Sequence, residues 1–274
     1  MSEISAFDPD RYKAFERDGW RRSSGEYHDL FGSGTAQAAG PLLDAVNAEA
    51  GTRLLDVACG PGIVSGAAAA RGCSVLGLDF ATGMLAQARE RYPEIEFREG
   101  DAEDLPLKDA SFEAVVCNFG MNHIPRAERA VAGVFRVLSP GGRYAFTTWS
   151  PGSAQYRLVN EAVQAHGDPD VPLPEGPDRT LFSDPGLCKA LLAGAGFEDA
   201  EVAEIPIVLK CTGPEHLIDI IYKSTVRTRA LLEAQSLPAR GKINRAIAEA
   251  ARGFEKDGTL EIPMPAVMVS ARKP

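Results

Sequence analysis

The chain has 274 residues, of which 45% are hydrophobic and 24% are charged, values typical of a globular protein rather than a fibrous or disordered one. Its formal net charge of −9 argues against nucleic-acid binding, because phosphate contacts need clustered lysine and arginine side chains. The amino-terminal segment lacks the apolar core of a signal peptide, and no window approaches the roughly eighteen apolar residues of a membrane span, so we predict a cytoplasmic protein without membrane insertion.

Residues 1–50 are predicted to be helical, because Leu42, Leu43, Val46 and Ala50 recur on one helical face. From residue 53 to 149, apolar runs alternate with helical segments. The predicted strands are RLLDVA (53–58), CSVLGLDF (73–80), EIEFREGD (94–101), FEAVVCNFG (112–120) and RYAFTTW (143–149); the predicted helices are GIVSGAAAARG (62–72), TGMLAQARERYP (82–93) and RAERAVAGVFRVLSPGG (126–142), the last ending in a Pro-Gly-Gly turn. This alternation predicts a parallel sheet covered by helices on both faces, with ligands bound beyond the carboxyl ends of its strands.

Beyond residue 150 the pattern changes. A helix and a proline-rich loop are predicted in 150–182, a helix capped by Asp184 and Pro185 in 184–197, a strand in 198–210, helices in 214–257 and a last strand in 261–272. We predict one domain, 1–274, in which segments 1–50, 150–180 and 211–258 form a cap over the sheet.

The five cysteines, at positions 59, 73, 117, 188 and 211, are scattered. None is spaced as CxxC or accompanied by a histidine at zinc-site spacing. Such a set is typical of reduced thiols, which agrees with a cytoplasmic location. Basic residues at 21–22 and between 223 and 245 alternate with acids, and we interpret them as solvated helix faces.

The stretch LLDVACGPG, residues 54–62, places Gly60 and Gly62 between the first strand and a helix. Glycine lets a ligand approach the backbone, and the helix start offers free N–H groups to a phosphate or a carboxylate; a tight turn without a ligand is the alternative. A dinucleotide site expects a third glycine where Ser65 stands, and Asp56 would face a positive group rather than a pyrophosphate. Both observations argue against a nicotinamide oxidoreductase.

Polar residues also follow the second and third strands. Asp79 closes the second strand, where a carboxylate can accept hydrogen bonds from both hydroxyls of a ribose. Phe80 and Met84 come next, and Met84 is placed to cover a flat base. After the third strand, Asp101 can accept a hydrogen bond from an exocyclic amine, and the Ala102 N–H can donate to a ring nitrogen. Helix capping and core packing are the alternative roles of these residues, but their order on successive strand ends fits an adenosine joined to an amino-acid zwitterion.

These residues resemble the class I S-adenosylmethionine-dependent methyltransferases, most closely the small-molecule branch related to the ubiquinone/menaquinone methyltransferases. The resemblance rests on LLDVACGPG, VLGLDFATGML, FREGDAEDLPLKDASFEAVVCNFGMNHI and VLSPGGRYAFTTW within residues 53–149, and continues more weakly through FSDPGLCKALLAGAGFEDAEV to PAVMVSARKP. It implies a Rossmann-like three-layer α/β sandwich with a mostly parallel seven-stranded sheet, an antiparallel last strand and a helical cap. It also implies methyl transfer from S-adenosyl-L-methionine to an O, N or C atom of a small organic acceptor, with S-adenosyl-L-homocysteine as product.

The resemblance also implies roles for individual residues. The methionine moiety would be surrounded by Asp56, Ala58, Gly60 and Gly62. The ribose would be held by Asp79, and the adenine would be flanked by Phe80 and Met84 and read by Asp101 and Ala102. Asn118 and Phe119, after the fourth strand, would lie beside the transferable methyl group. In this family an amino-terminal helix often closes over the cofactor, and Trp20 and Tyr27 are the candidates here.

Methyl transfer from a sulfonium is driven largely by positioning, and a base matters only when the acceptor must lose a proton. His123 is the candidate base beside the site, with helix capping or a place in the pocket wall as alternatives, and Asn122 is a candidate to orient an acceptor oxygen. His166 is a second candidate base, whereas His28 and His216 are interpreted as surface residues.

The place after the fourth strand holds Cys117, Asn118 and Phe119 instead of clustered carboxylates, so we predict no metal. Candidates for contact with an aromatic or lipophilic acceptor are Phe182, Ile221 and Tyr222, with ordinary packing as the alternative. A non-catalytic adenosine-ligand-binding protein on the same fold remains the alternative function, and the sequence does not distinguish a monomer from a homodimer.

Overall fold

The computed structural model describes residues 7–274, so the first six residues of the predicted cap segment 1–50 lie outside the described residues. The helices are α1 (Pro9–Leu30), α2 (Gly32–Thr35), α3 (Ala39–Ala45), α4 (Ile63–Ala70), α5 (Thr82–Arg91), α6 (Ala127–Val137), α7 (Ala154–His166), α8 (Pro185–Gly194), α9 (Pro214–Ser224), α10 (Arg227–Glu233) and α11 (Leu237–Ala251). The strands are β1 (Arg53–Val57), β2 (Ser74–Asp79), β3 (Glu96–Glu99), β4 (Phe112–Cys117), β5 (Leu138–Trp149), β6 (Glu198–Ile205), β7 (Val208–Cys211), β8 (Glu255–Lys256), β9 (Thr259–Pro263) and β10 (Ala266–Arg272).

Seven strands form one sheet in the order β3-β2-β1-β4-β5-β10-β6. The first five strands in this order pair in parallel, whereas β10 is antiparallel to both β5 and β6. The predicted Rossmann-like sheet with an antiparallel last strand is confirmed. Strand order reverses between β1 and β4, and that switch point is where open α/β sheets form a ligand crevice.

Apolar residues fix the sheet between its helices, because successive residues of a strand face opposite sides. On one side, Leu54 of β1 packs in a core cluster with Leu42 of α3 and Val64 of α4. On the other side, Leu55 packs in a cluster that includes Val131 of α6 and the apolar face of α8. Leu54 and Leu55 are both fully buried, and burial of each side chain contributes about 1.5–3 kcal/mol.

Two segments predicted as single strands are each divided in two, which corrects the sequence prediction. Proline has no N–H for a sheet ladder, and strand β6 ends immediately before Pro206. The segment 261–272 likewise changes sheets near Pro265, between β9 and β10. Strands β7, β9 and β8 form a second, antiparallel sheet that the sequence did not predict.

Two further predictions were wrong in detail. Helix α3 ends at Ala45, so Ala50 lies beyond the helix and is exposed rather than buried with Leu42. The predicted Pro-Gly-Gly turn lies within β5, which begins at Leu138. Pairing between β4 and β5 shifts register there, and Gly141 has a φ of +80°. Among the helices in the described part of the chain, none is both long and apolar enough to cross a membrane.

Helix α1 packs over the carboxyl ends of the parallel strands with a face that is not apolar. Its buried residues are Tyr12, Glu16, Gly19 and Ser23, which recur at the spacing of one helical face. Gly19 allows close packing, because a Cβ there would overlap the side chain of Val226. Polar groups on this face therefore point toward the carboxyl edge of the sheet.

Candidate functional site

A cavity of about 960 Å³ lies at the carboxyl ends of β1, β2, β3 and β4, beneath α1 and the segments 176–180 and 224–228. This volume is at the upper end of the range usual for small-molecule sites. The predicted site residues that line it are Trp20, Tyr27, Asp56, Ala58, Gly60, Asp79, Phe80, Met84, Asp101, Ala102, Asn118, Phe119 and His123. Gly62 is the one predicted cofactor-binding residue that does not line the cavity.

Gly62 has a local structural role instead. It is the N-cap of α4 with a φ of +83°, and its N–H donates to the Cys59 carbonyl at 3.0 Å. A Cβ at this position would lie 3.0 Å from the rings of Phe97 and Tyr92, on the side of the loop away from the cavity lining. The Cβ position of Gly62 thus faces Phe97 and Tyr92, and the expectation that this glycine contacts the ligand stays a prediction.

Asp79 shapes the glycine loop. One of its carboxylate oxygens accepts a hydrogen bond from the Gly60 N–H and the other from the Ala81 N–H, both at 2.8 Å. Burial raises the pKa of this carboxyl, and the N–H donors oppose the rise. Each oxygen keeps a further lone pair, so Asp79 can still accept hydrogen bonds from a ligand in the cavity.

Asp56 presents a buried oxygen without a partner among the described residues. Its Oδ2 accepts a 2.6 Å hydrogen bond from Ser65 Oγ, whereas Oδ1 has none. Burial raises the pKa of Asp56 to about 7; the charge of Asp79 adds to the rise and the Ser65 hydroxyl opposes it. An unpaired buried carboxylate oxygen is costly, and a ligand cation in the cavity would satisfy it. Ser65, at the position where a dinucleotide site expects its third glycine, thus donates a hydrogen bond to Asp56.

The raised pKa of Asp56 predicts a pH-dependent stability. The folded state keeps a proton that the unfolded state releases near the ordinary value of 3.8, so this stability is fully present below 3.8 and is lost as the pH rises through about 7. Asp56→Asn stays neutral, and its amide oxygen can accept from Ser65. We expect the stability of the variant relative to wild type to increase between about pH 5 and about pH 8, measured by urea unfolding. An unchanged difference would contradict the assignment.

Helix α1 closes the end of the cavity predicted to hold the adenine. Lys13 Nζ lies 2.7 Å from Asp101 Oδ2 and also pairs with the buried Glu103. Although burial opposes it, the hydrogen bond from Lys13 lowers the pKa of Asp101. The guanidinium carbon of Arg17 lies 5.4 Å from the centroid of the Phe80 ring. Of the four residues that the sequence assigned to the adenine, Asp101 and Phe80 therefore already contact cations of α1.

The part of the cavity that follows β4 is held by hydrogen bonds and lined by aromatic rings. Thr147 Oγ1 donates to Asn118 Oδ1 at 2.6 Å and accepts from the Phe119 N–H at 3.0 Å. Phe119 has a φ of +55°, a strained value for a residue with a side chain. Its ring stacks on Trp149, with centroids 3.9 Å apart, and Phe31 packs edge-on against Trp149 at 5.5 Å. This aromatic wall removes water from one side of the cavity.

His123 is oriented by an acid that the sequence prediction missed. Its Nδ1 lies 2.8 Å from Oε2 of Glu16, a residue of α1 that is only 1% exposed. The Trp20 ring packs against the imidazole edge at 5.0 Å, and Tyr27 packs against Trp20. Asn122 is also engaged, since its Oδ1 accepts from Thr148 Oγ1 at 2.7 Å. A carboxylate that holds one ring nitrogen leaves the other available to a ligand.

Comparison with known proteins agrees with this geometry. Residues 55–146 match the family model described as a methyltransferase domain. A demethylmenaquinone methyltransferase of Streptomyces griseus subsp. griseus is 32% identical over 164 residues, which are 56% of this chain and 71% of that protein. The chain belongs to the class I S-adenosylmethionine-dependent methyltransferase family.

Other members of this methyltransferase family match over a shorter stretch. A demethylmenaquinone methyltransferase of Renibacterium salmoninarum is 41% identical over 119 residues, 43% of this chain and 50% of that protein. The chain thus spans about half the length of the first curated relatives that it matches. A phosphoethanolamine N-methyltransferase of Haemonchus contortus, solved with phosphomonomethylethanolamine and S-adenosylhomocysteine, shares the fold with a TM-score of 0.54 at 20% identity, covering 86% of this chain and 52% of that one.

Several candidates in this methyltransferase chain lie elsewhere. His166 is exposed at the end of α7, so the second candidate base lies outside the cavity, as do His28 and His216. None of the three predicted acceptor contacts lines the cavity: Phe182 and Ile221 are fully packed in core clusters, and Tyr222 donates to Asn244. Their helical or apolar setting indicated packing, and the structure buries Phe182 and Ile221 in the core and leaves Tyr222 half-buried against it. Within residues 7–274, no three His, Cys, Asp or Glu side chains are grouped to hold a metal ion.

Other cavity residues were missed by sequence reasoning. They are Tyr12, Lys13, Glu16, Phe31, Trp149, Tyr156, Arg157, Arg179 and Arg227. Most lie on α1 or in the cap, in charged stretches that resemble solvent-exposed surface. Trp149 had a usable signal, because it ends β5 at the same edge of the sheet as Asn118 ends β4.

Proposed function

We propose that the chain binds S-adenosyl-L-methionine in this cavity and transfers the methyl group to an O, N or C atom of a small organic acceptor, releasing S-adenosyl-L-homocysteine. The observation that carries the proposal is the meeting of three acids, Asp56, Asp79 and Asp101, on successive strand ends around one cavity. The unpaired oxygen of Asp56 suits an ammonium group, and Asp79 keeps free lone pairs for a ribose diol. Family membership and the ligand of the Haemonchus contortus structure support the same cofactor.

Each part of the cavity then has one task. Asp56 would hold the amino group and Gly60 would leave room for the methionine moiety. Asp79 would orient the ribose. At the far end, Phe80 and Met84 would flank the adenine, and the Ala102 N–H and Asp101 would read its edge. We expect Lys13 to keep one oxygen of Asp101 while the other faces the ligand.

The bound cofactor supplies a methyl group already activated by the positive charge of its sulfonium, so the protein contributes mainly positioning. The wall formed by Asn118, Phe119 and Trp149 would exclude water from the side of the methyl group. His123, held at Nδ1 by Glu16, would take a proton at Nε2 from an acceptor that must lose one.

Parallel calorimetric titrations with S-adenosyl-L-methionine, S-adenosyl-L-homocysteine and NAD test the cofactor assignment. We expect dissociation constants of about 1–100 µM for the first two and no binding of NAD. Binding of NAD alone would show that the loop at Gly60 accepts a pyrophosphate after all.

A second test separates catalysis from binding. We expect His123→Gln to lower turnover by about 100-fold or more on an acceptor that loses a proton, because it removes a general base. The affinity for S-adenosyl-L-homocysteine should stay within about twofold of wild type, a change of less than about 0.5 kcal/mol in binding free energy. Glu16→Gln should lower turnover less, since it preserves the base and loses only the charge that holds it. Equal turnover of wild type and His123→Gln would reduce His123 to a wall residue.

We further propose a cytoplasmic location and no nucleic-acid partner. The net charge of −9 and five free cysteines support these assignments. We also propose that the segments 1–50, 150–180 and 211–258 act as a cap of one domain; the position of α1 and of segments 176–180 and 224–228 around the cavity supports this.

A further inference from the structure

The cavity has a second end, formed by α7 and the segments 176–180 and 224–228, and this end carries arginines. Three of them line it. Arg157 is exposed and lies 3.7 Å from Glu161, so its charge is already balanced. Arg179 and Arg227 are half-buried. Among residues 7–274, neither forms an ion pair, that is, no carboxylate oxygen lies within 4.0 Å of its guanidinium nitrogens.

Uncharged groups hold both of these guanidinium groups in place. The Arg179 guanidinium carbon lies 4.2 Å from the centroid of the Tyr156 ring. Arg227 Nη1 donates to the Pro174 carbonyl at 2.6 Å. An arginine has five N–H donors, so these contacts leave most of the donors free. A partly desolvated cation without a counter-charge is costly, and an oxyanion is the ligand that matches it best.

The acids near this end do not neutralise the arginines. Asp178 accepts hydrogen bonds from the Thr180 N–H at 2.7 Å and from Thr180 Oγ1 at 2.6 Å; these donors and, to a smaller extent, the charge of Arg179 lower its pKa, but it forms no ion pair with Arg179. Glu16 contacts His123 through Oε2, whereas its Oε1 has no hydrogen-bond partner among the described residues, and it forms no ion pair with either arginine. Burial and Glu16 raise the pKa of Tyr12, which lines the same cavity as both arginines, and the charges of Arg227 and Arg179 oppose the rise.

The two ends of the cavity thus differ in charge. The end assigned to the cofactor is lined by Asp56, Asp79, Asp101 and Glu103, of which Asp101 and Glu103 pair with Lys13. The other end carries Arg179 and Arg227, which form no ion pair within residues 7–274; Arg179 lies over the ring of Tyr156, and Trp149 also lines the cavity. A ligand that fits this second end of the cavity combines an apolar or planar body with a negatively charged group.

We propose that Arg179 and Arg227 anchor a carboxylate or phosphate group of the methyl acceptor, whose apolar body lies against Tyr156 and Trp149. This rests on the proposed function, because the cofactor must fill the acidic end for the arginine end to receive the acceptor. The anchoring group is distinct from the atom that is methylated, which lies toward Phe119 and His123.

The test uses the full chain saturated with S-adenosyl-L-homocysteine and titrated calorimetrically with three probes of one shape: 2-naphthoate, 2-naphthyl phosphate and neutral 2-naphthamide. We expect at least one anion to bind about tenfold or more tightly than the amide, since charge-assisted hydrogen bonds contribute about 1.5–3 kcal/mol. The order of the two anions distinguishes a carboxylate from a phosphate acceptor. Arg179→Gln and Arg227→Gln should each weaken anion binding by about 10-fold to 100-fold and leave the amide unchanged.

Arg157→Gln is the matched control, because Arg157 lines the same end but already has an acidic partner; its anion affinity should equal that of wild type. Arg179→Lys, which keeps the charge, should retain part of the affinity. Equal binding of amide and anions, no binding of either anion, or anion binding unaffected by both glutamine variants would overturn the proposal. A failure to bind S-adenosyl-L-homocysteine would instead reject the proposed function, so the two failures are distinguishable.

Discussion

Asp79→Asn is expected to fold but to lose about 100-fold in affinity for S-adenosyl-L-homocysteine, a change of about 3 kcal/mol. The wild-type carboxylate accepts from two N–H groups and has lone pairs left for a ribose diol. An asparagine has only one acceptor oxygen, and its NH₂ group must face either the Gly60 N–H or the Ala81 N–H. The variant therefore loses a ligand acceptor and loosens the loop that receives the methionine moiety.

Calorimetric titration measures this loss, and a thermal unfolding transition verifies that the variant folds. Asp104→Asn is the control, because Asp104 lies in the loop after β3 but is exposed and does not line the cavity. It removes the same charge and should leave the affinity unchanged. Wild-type affinity in Asp79→Asn would mean that the ribose lies elsewhere and would remove Asp79 from the binding site.

Gly62→Ala is expected to destabilise the fold by about 2–4 kcal/mol. Its φ of +83° disfavours any side chain, and the new methyl group would lie 3.0 Å from both Phe97 and Tyr92. Gly60→Ala is a matched change in the same turn. Gly60 has a φ of +53°, and a Cβ there meets nothing within 4 Å, so only the backbone strain of about 1–2 kcal/mol remains.

The two alanine variants should therefore separate stability from binding. Urea unfolding should show the larger loss for Gly62→Ala, whereas calorimetry should show the larger loss of affinity for Gly60→Ala, whose methyl group enters the cavity. The reverse pattern would restore Gly62 to the ligand site and make Gly60 the structural glycine.

The half of the fold that surrounds the candidate site was predictable from the sequence because its pattern is local. Short apolar runs and their terminal acids gave β1, β2 and β3 with Asp56, Asp79 and Asp101, and parallel strands bring their carboxyl ends to one edge. Gly62 shows the limit of such reasoning. Two glycines in one turn have the same sequence pattern, and only the structure shows that a Cβ at Gly62 would meet Phe97 and Tyr92 whereas a Cβ at Gly60 would meet nothing within 4 Å.

The cap was less predictable because its contacts are not local. The buried face of α1 carries Tyr12, Glu16, Gly19 and Ser23, so hydrophobic periodicity does not reveal it. The second sheet pairs β7 with β9, segments far apart in the chain and each next to a proline. Arg179 and Arg227 likewise come from a proline-rich loop and a short helix, settings in which arginine usually faces water.

Helix α1 forms ion-pair contacts with the cavity lining at two places. Lys13 and Glu16 are one turn apart on it, and they pair with Asp101 after β3 and with His123 after β4. A shift of the helix that breaks both contacts would couple the two places in free energy. If occupying one of these places shifts α1, thermodynamic reciprocity requires cofactor and acceptor to change each other's dissociation constants by the same factor.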